Sequence, residues 1–225
     1  MFNRLELLIG RENLINLKNK SVLIVGAGGV GGHVISALAR CGIEHLIVID
    51  FDIVDVSNIN RQIVANTLTV GRKKVEVVTE MISIINPECK VDVHDCFLDD
   101  RNIGEIFDKY ELDYVVDACD FVKTKKEIIK YCLKNKIKFV TSMGTGNKMD
   151  PSKLEIVDIR KTINDPLSRI FRKWVKDNKI KNKIVVLSSS EAPIKVGNGV
   201  GSNSFVPGSA GLLIASYVVS NMLKK

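Results

Sequence analysis

Nowhere in the 225 residues is there a CxxC pair, although Cys41, Cys89, Cys96, Cys119 and Cys132 are scattered through the first two thirds of the chain. An odd number of widely spaced thiols excludes a structural zinc site or a redox disulfide as an organising element. Reduced, mostly buried cysteines are expected instead. Histidine is equally scarce: His33, His45 and His94 are the only three, and only His33 lies near a motif, where packing or capping is expected of it. The first twenty residues are interrupted by Arg4, Glu6, Arg11 and Glu12, so they lack the unbroken apolar core of a secretion signal, and a cytoplasmic protein is expected. The apolar tail from Phe205 to Leu223 is broken by Pro207, Gly208, Gly211 and Asn221. A membrane span needs about 20 mainly apolar residues, so the tail reads as a buried helix with no membrane partner. Internal repeats are absent too.

What is present supports a sizeable core, since 45% of residues are hydrophobic. An amphipathic helix is expected over 1–20, a nucleotide-binding core over 21–150, and a basic, loop-rich part over 151–225 ending in a helix, all within one domain. Strands are expected at 21–25, 45–50, 90–94, 114–118, 139–142 and 184–187, and helices at 31–41, 70–86, 103–110 and 123–135. Pro87 stops the second of these helices. Strands alternating with helices predict an α/β fold with a doubly wound, mainly parallel sheet and an irregular C-terminal extension. Its ligand crevice should open at the carboxyl ends of the strands.

Gly26-Ala27-Gly28-Gly29-Val30-Gly31 satisfies GxGxxG between a strand and a helix. Such a turn brings backbone close to phosphate and offers the unpaired amides of a helix amino terminus to the anion. Asp50, at the next strand end, is placed to meet ribose hydroxyls, with Asp52 beside it. These features predict a nucleotide without choosing among NAD, FAD and ATP. The choice comes from Asn58, Arg61 and Gln62 just downstream and Lys74 at the start of a helix. A guanidinium fork and an ammonium beside the phosphates suit an enzyme that moves charge onto pyrophosphate. Asp120, ending "DYVVDACD", is a candidate Mg²⁺ ligand because that ion takes only one or two protein carboxylates. Asp117 is a weaker candidate, with capping of its own backbone as the alternative.

Net charge is +7, and the excess is uneven: nine basic residues lie between Arg160 and Lys183 against two acids, Asp165 and Asp177. Within that stretch Arg169, Arg172 and Lys173 are candidate nucleic-acid contacts, since displacing condensed counterions supplies affinity for a phosphate backbone. A solvated helix face is the alternative.

Together "GAGGVGG", "DFDIVDVSNINRQ", "VGRKK" and "DACD" resemble the ubiquitin-activating-enzyme-like (ThiF/MoeB/HesA) adenylating superfamily. "FNRLELLIG", "INPECKV", "DACDFVKTKKEIIKYCLKNKIKFVTSMGTGNKMDP" and "KTINDPLSRIFRK" narrow the resemblance to its tRNA threonylcarbamoyladenosine dehydratase branch over nearly the whole chain. The resemblance implies a Rossmann-like, ThiF-type fold and a cytoplasmic homodimer that uses ATP and Mg²⁺ to cyclise threonylcarbamoyladenosine at position 37 of tRNA through an acyl adenylate. It also implies a sulfur-relay protein as a further partner. By the same resemblance Gly28 and its neighbours with Asp50 hold the nucleotide, Asn58, Arg61 and Lys74 engage its phosphates, Asp120 binds magnesium, and Arg4 reaches the partner subunit's ATP. No cysteine follows Thr141, so the thioester chemistry of some superfamily members is unavailable. Some dehydratase relatives carry a cysteine where Val186 stands here. The rival expectations are an adenylyltransferase for the Gly-Gly terminus of a sulfur-carrier or ubiquitin-like protein, an NAD-dependent dehydrogenase, and a non-catalytic nucleotide-binding module.

Overall fold

The computed structural model describes residues 1–194 and 197–223. Short β-branched runs form β1 (Ser21–Val25), β2 (His45–Ile49), β3 (Lys90–His94), β4 (Tyr114–Asp117), β5 (Phe139–Ser142), β6 (Leu154–Asp158) and β7 (Val185–Ser189). They make one seven-stranded sheet in the order β3-β2-β1-β4-β5-β7-β6. Every neighbouring pair is parallel except β6 against β7. Every residue of β1, β4 and β5 is buried, as expected where helices cover both faces of a parallel sheet.

Alternation along β1 divides the core. Val22 and Ile24 face one side, where they meet α2 (Arg11–Lys18), α3 (Gly31–Arg40), α4 (Lys74–Ile85) and α8 (Phe205–Leu223) through Leu17, Val34, Val78 and Ile214. Leu23 and Val25 face the other side, against α5 (Ile103–Phe107), α6 (Val122–Asn135) and α7 (Pro166–Asp177) through Ile106, Ile128 and Phe171. Chain order reverses between β1 and β4, which opens a crevice at their carboxyl ends.

Several boundaries differ from those the sequence predicts. The expected single helix over 1–20 is two, α1 (Asn3–Ile9) and α2, because Gly10 turns the chain at φ +82°. Gly71 at φ +86° and an extended Lys73 bridged to Ile53 delay α4 until Lys74. Helix α5 stops at Phe107, and Tyr110 instead reaches His94 Nε2 at 2.9 Å. The C-terminal part is not irregular: β6, α7 and β7 extend the same sheet and its helical layer. Their regularity is hard to read because β6 is only half-buried at every position and α7 shows mostly charges outward. Of the cysteines only Cys132 is fully buried; the other four are half-buried.

Helix α8 is long and apolar enough to cross a membrane by length and composition, yet Ala210, Ile214 and Val218 are packed into the core. Its glycines allow a close crossing of α3. A Cβ at Gly211 would lie 2.4 Å from the Val30 carbonyl oxygen, and one at Gly208 would lie 3.3 Å from His33 Nε2. His33 in turn bonds the Gly29 carbonyl through Nδ1 at 2.8 Å, the packing and capping role expected of it.

Candidate active site

At the reversal point lies an open cavity of about 990 Å³, bounded by the glycine turn, the segment after β2 and the loops after β3, β4 and β5. The turn's shape follows from its glycines. Gly26 sits at φ +94°, where a Cβ would meet the Ala118 carbonyl at 2.9 Å, and a Cβ on Gly31 would lie 1.7 Å from Gly26 O. These two glycines close the turn, whereas a Cβ on Gly28 would meet only Gln62, at 3.7 Å, so Gly28 matters for what approaches from the cavity. The amides of Gly28, Gly29 and Val30 have no hydrogen-bond acceptor among the described residues. They stand at the positive amino end of α3, an anion-ready arrangement.

Asp50 fixes this turn from the neighbouring strand. Its Oδ2 accepts the Ala27 amide at 2.6 Å and its Oδ1 the Asp52 amide at 2.8 Å. Burial pushes its carboxyl above the ordinary value, against the two amides and the Lys74 charge, which favour the carboxylate. Both oxygens thus carry backbone bonds already, a positional duty that the sequence does not reveal. Asp52 is half-exposed, and its Oδ2 pairs at 2.7 Å with Lys74, whose side chain is almost wholly buried at the first turn of α4.

The segment that follows is built by a capping box. Asp55 accepts the Ser57 amide while Asn58 Oδ1 accepts the Asp55 amide, which leaves the Asn58 NH₂ without a partner among the described residues. Arg61 Nη1 donates to Ser57 O at 2.7 Å and Asn60 Oδ1 at 2.9 Å, so its guanidinium is held at the cavity wall. Gln62 is buried and its Oε1 has no partner. A buried orphan acceptor beside a cavity costs stability unless a ligand satisfies it.

Asp120 lines the cavity, is exposed, and has no side-chain hydrogen bond or ion pair among the described residues. Three residues earlier, Asp117 is enclosed. It pairs with Lys125 Nζ at 3.0 Å with both side chains fully buried, and it accepts from the Thr141 hydroxyl, the Cys119 amide and the Cys119 thiol. Lys125 also donates to Ser142 O at 2.7 Å. Asp117 therefore neither faces the cavity nor caps alone; it anchors a buried network beneath Asp120. Burial, reinforced by Asp117, holds the Cys119 thiol well above its usual range. A thiolate is disfavoured there.

Sequence reasoning passed over Lys125, although a signal existed: it shares the apolar stripe of α6 with Ile128, Ile129 and Cys132 at helical spacing. It also passed over Phe51, Phe97 and Phe121, three half-exposed rings in mutual edge-on or tilted contact, 5.0 to 5.9 Å apart, at the cavity wall. They come from three separate loops. Such rings offer a planar ligand an apolar wall.

Gly26, Gly28, Gly29, Val30, Asp50, Asp52, Asn58, Arg61, Gln62, Lys74 and Asp120 all line this one cavity, and Gly31 closes the turn behind it. Four predicted residues lie elsewhere. Arg4 is exposed on α1, and Arg169 and Lys173 are exposed on α7. Arg172 is half-buried and donates through Nη1 to Thr162 O and Oγ1 at 2.8 and 2.6 Å. Those bonds make it a strut between α7 and the turn before it.

Residues 2–192 match the model of the ThiF family. The tRNA threonylcarbamoyladenosine dehydratase of Bacillus subtilis is 40% identical, over 99% of this chain and 94% of that protein. The crystal structure of the E. coli tRNA N6-threonylcarbamoyladenosine dehydratase in complex with ATP superposes with a TM-score of 0.93 at 36% identity, covering 99% of this chain and 93% of that one. A probable molybdopterin-synthase adenylyltransferase of Gracilaria tenuistipitata is 40% identical, but over 55% of this chain and 34% of that protein.

Proposed function

The chain belongs to the ThiF family and, within it, to the tRNA threonylcarbamoyladenosine dehydratases, and from that membership we propose that it dehydrates threonylcarbamoyladenosine in tRNA at the expense of ATP. The observation that carries the site assignment is a set of unsatisfied polar groups converging on one cavity: the Gly28, Gly29 and Val30 amides, the Asn58 NH₂, Gln62 Oε1 and the free Asp120 carboxylate. Full-length similarity to a dehydratase, against a partial match to a sulfur-carrier enzyme, favours a tRNA nucleoside as the acyl substrate.

The threonyl carboxylate oxygen attacks the α-phosphorus of ATP, pyrophosphate leaves, and a mixed acyl-phosphate anhydride forms. A carbamoyl heteroatom of the same nucleoside then adds to the activated carbonyl and AMP departs with the former carboxylate oxygen. One water is thereby lost from the nucleoside, and no enzyme nucleophile is needed. Orientation can supply much of the rate, because well-positioned intramolecular reactions reach effective molarities of about 10⁵ to 10⁸ M.

In this assignment the glycine-turn amides and Asn58 bind phosphate oxygens, and Arg61 and Lys74 stabilise charge developing on pyrophosphate. Asp50 keeps the turn in register and, with Asp52, meets the ribose, while Gln62 accepts from the nucleotide. Asp120 is the residue that would hold Mg²⁺; its unpartnered carboxylate at the cavity fits an ion that keeps most of its waters. When bound, that ion neutralises phosphate charge. Arg4, outside its own cavity, is assigned to the partner subunit's phosphates in a cytoplasmic homodimer, and Arg169 and Lys173 to the tRNA backbone.

Incubating purified protein with ATP and modified tRNA, then weighing the released nucleosides, tests the reaction. Loss of one water with stoichiometric AMP is expected. Tight NADH binding without AMP release would refute the proposal.

A further inference from the structure

We infer that the outer face of α7 and a basic notch at its carboxyl end form a track for the phosphate backbone of the substrate RNA, leading away from the mouth of the nucleotide cavity. The inference rests on the tRNA reading above and deepens it. Helix α7 begins at that mouth. Its N-cap, Asp165, accepts the Leu167 amide, the Ser168 hydroxyl and, from the loop after β5, the Gly144 amide at 3.2 Å, while Leu167 and Gly144 both line the cavity. Ser168, Phe171 and Val175 turn inward. On the opposite side Arg169, Lys173 and Lys176 are exposed at i, i+4 and i+7, so their charges run in a row along the helix. From Arg169 to Lys176 the row covers about 10 Å of α7 at 1.5 Å per residue.

At the far end the row meets a depression of about 490 Å³ whose floor includes Val175 and Ile180 and whose sides carry Lys176, Lys179 and Lys181. Two guanidiniums at its rim are already fixed. Arg160 bonds Asp158, Ile180 O and Asn182 O, and Arg172 bonds Thr162. The lysines are different. Arg169, Lys173, Lys176, Lys179 and Lys181 make no side-chain hydrogen bond or ion pair among the described residues, nor do Lys134, Lys136 and Lys138 near the amino end of the adjacent β5, whereas Lys18, Lys20, Lys73, Lys90 and Lys123 elsewhere on the surface are each paired with a carboxylate. Lys179 closes the helix at φ +52°, a backbone state in which glycine or asparagine is usual. Uncompensated like charges in a row repel one another, and a polyanion laid along them removes the repulsion while releasing its counterions. An acidic protein could satisfy the charges as well. The origin of the row decides for RNA, because the substrate nucleoside must enter the cavity while its strand continues outside it.

Binding of threonylcarbamoyladenosine-containing tRNA, followed by fluorescence anisotropy over a salt series, tests the track. Each lost phosphate contact lowers the slope of log affinity against log salt by about 0.7 to 0.9. A Lys176→Gln/Lys179→Asn/Lys181→Gln variant is therefore expected to lose roughly 2 to 3 from that slope, and Arg169→Gln/Lys173→Gln roughly 1.5. Lys18→Gln/Lys90→Gln/Lys109→Gln removes equal charge from three carboxylate-paired lysines around β3, the edge of the sheet opposite β7 and β6, and should keep the wild-type slope. Equal slopes for wild type and the notch variant, or an equal loss in the control, would overturn the track. If wild-type protein binds the tRNA but removes no water from it, the functional reading falls instead, while the slopes still judge the track.

Discussion

Replacing Lys125 by methionine keeps most of the side-chain volume and removes one charge from a pair with no solvent exposure on either side. Asp117 would keep the Thr141 hydroxyl and the Cys119 amide and thiol, but its carboxylate would lose the only cation that contacts it among the described residues. Breaking a buried pair from one side costs about 3–5 kcal/mol, chiefly through the charge left behind. For a chain of this size each kcal/mol moves the melting temperature by about 2–4 °C, so a fall of roughly 6–20 °C is expected. Lys123→Met supplies the comparison. Its pair with Asp100 is 2.7 Å long, yet the two side chains are 68% and 54% exposed, and a surface pair contributes about 0–1 kcal/mol. Urea unfolding at neutral pH measures both. A Lys125→Met/Asp117→Leu double variant removes both charges and should recover most of the loss, since apolar replacement of a buried pair is often neutral or better. Were Lys125→Met no more destabilising than Lys123→Met, the network would not be holding β4, β5 and α6 together in the way its geometry implies.

Three further outcomes are expected. Asp120→Ala should cut AMP formation by at least about 10²-fold, as loss of one preorganised charge-stabilising group does, with the melting temperature unchanged; full turnover would remove Asp120 from the site. Gly31→Ala and Gly28→Ala should separate fold from binding. The first places a Cβ 1.7 Å from Gly26 O and should abolish soluble folded protein, whereas the second meets only Gln62 at 3.7 Å and should fold normally while raising the KM for ATP. Burial, and then Lys109, hold His94 below its ordinary value. The unfolded chain therefore takes up the proton first, and His94's contribution to stability is complete above about pH 6.5 and lost as pH falls. Urea titrations at pH 7 and pH 5.5 should show a smaller decline for His94→Gln than for wild type.

Most of the sheet was legible because β1, β2 and β4 are nearly continuous apolar runs and β3 alternates apolar with polar residues between turn signals, and β1 through β5 lie within a residue of their predicted ends. The glycine turn and the Asn58 to Gln62 segment were legible for another reason. Their chemistry depends on backbone and on short side chains acting close to their own position in sequence. Where a long-range contact decides the outcome, sequence was mute. β6 is an antiparallel edge strand, half-buried throughout, and its pairing with β7 spans the whole of α7. The start of α4 was misplaced because Gly71 and the Ile53–Lys73 bridge override an otherwise helical pattern.

The same distinction separates the basic residues, which look interchangeable in sequence and are not so in space. Arg172 stands three residues from Arg169 and one from Lys173, but one residue of rotation on a helix is about 100°, a consequence of 3.6 residues per turn. That angle sends Arg172 toward Thr162 and the other two toward solvent. Lys125 is the inward extreme: the stripe that carries Ile128 and Ile129 into the core carries its ammonium to Asp117. Each cation's task is thus set by the azimuth of its helix. A charge count over 160–183 averages over that variable, so it could identify an attractive region without saying which of its members were free to attract.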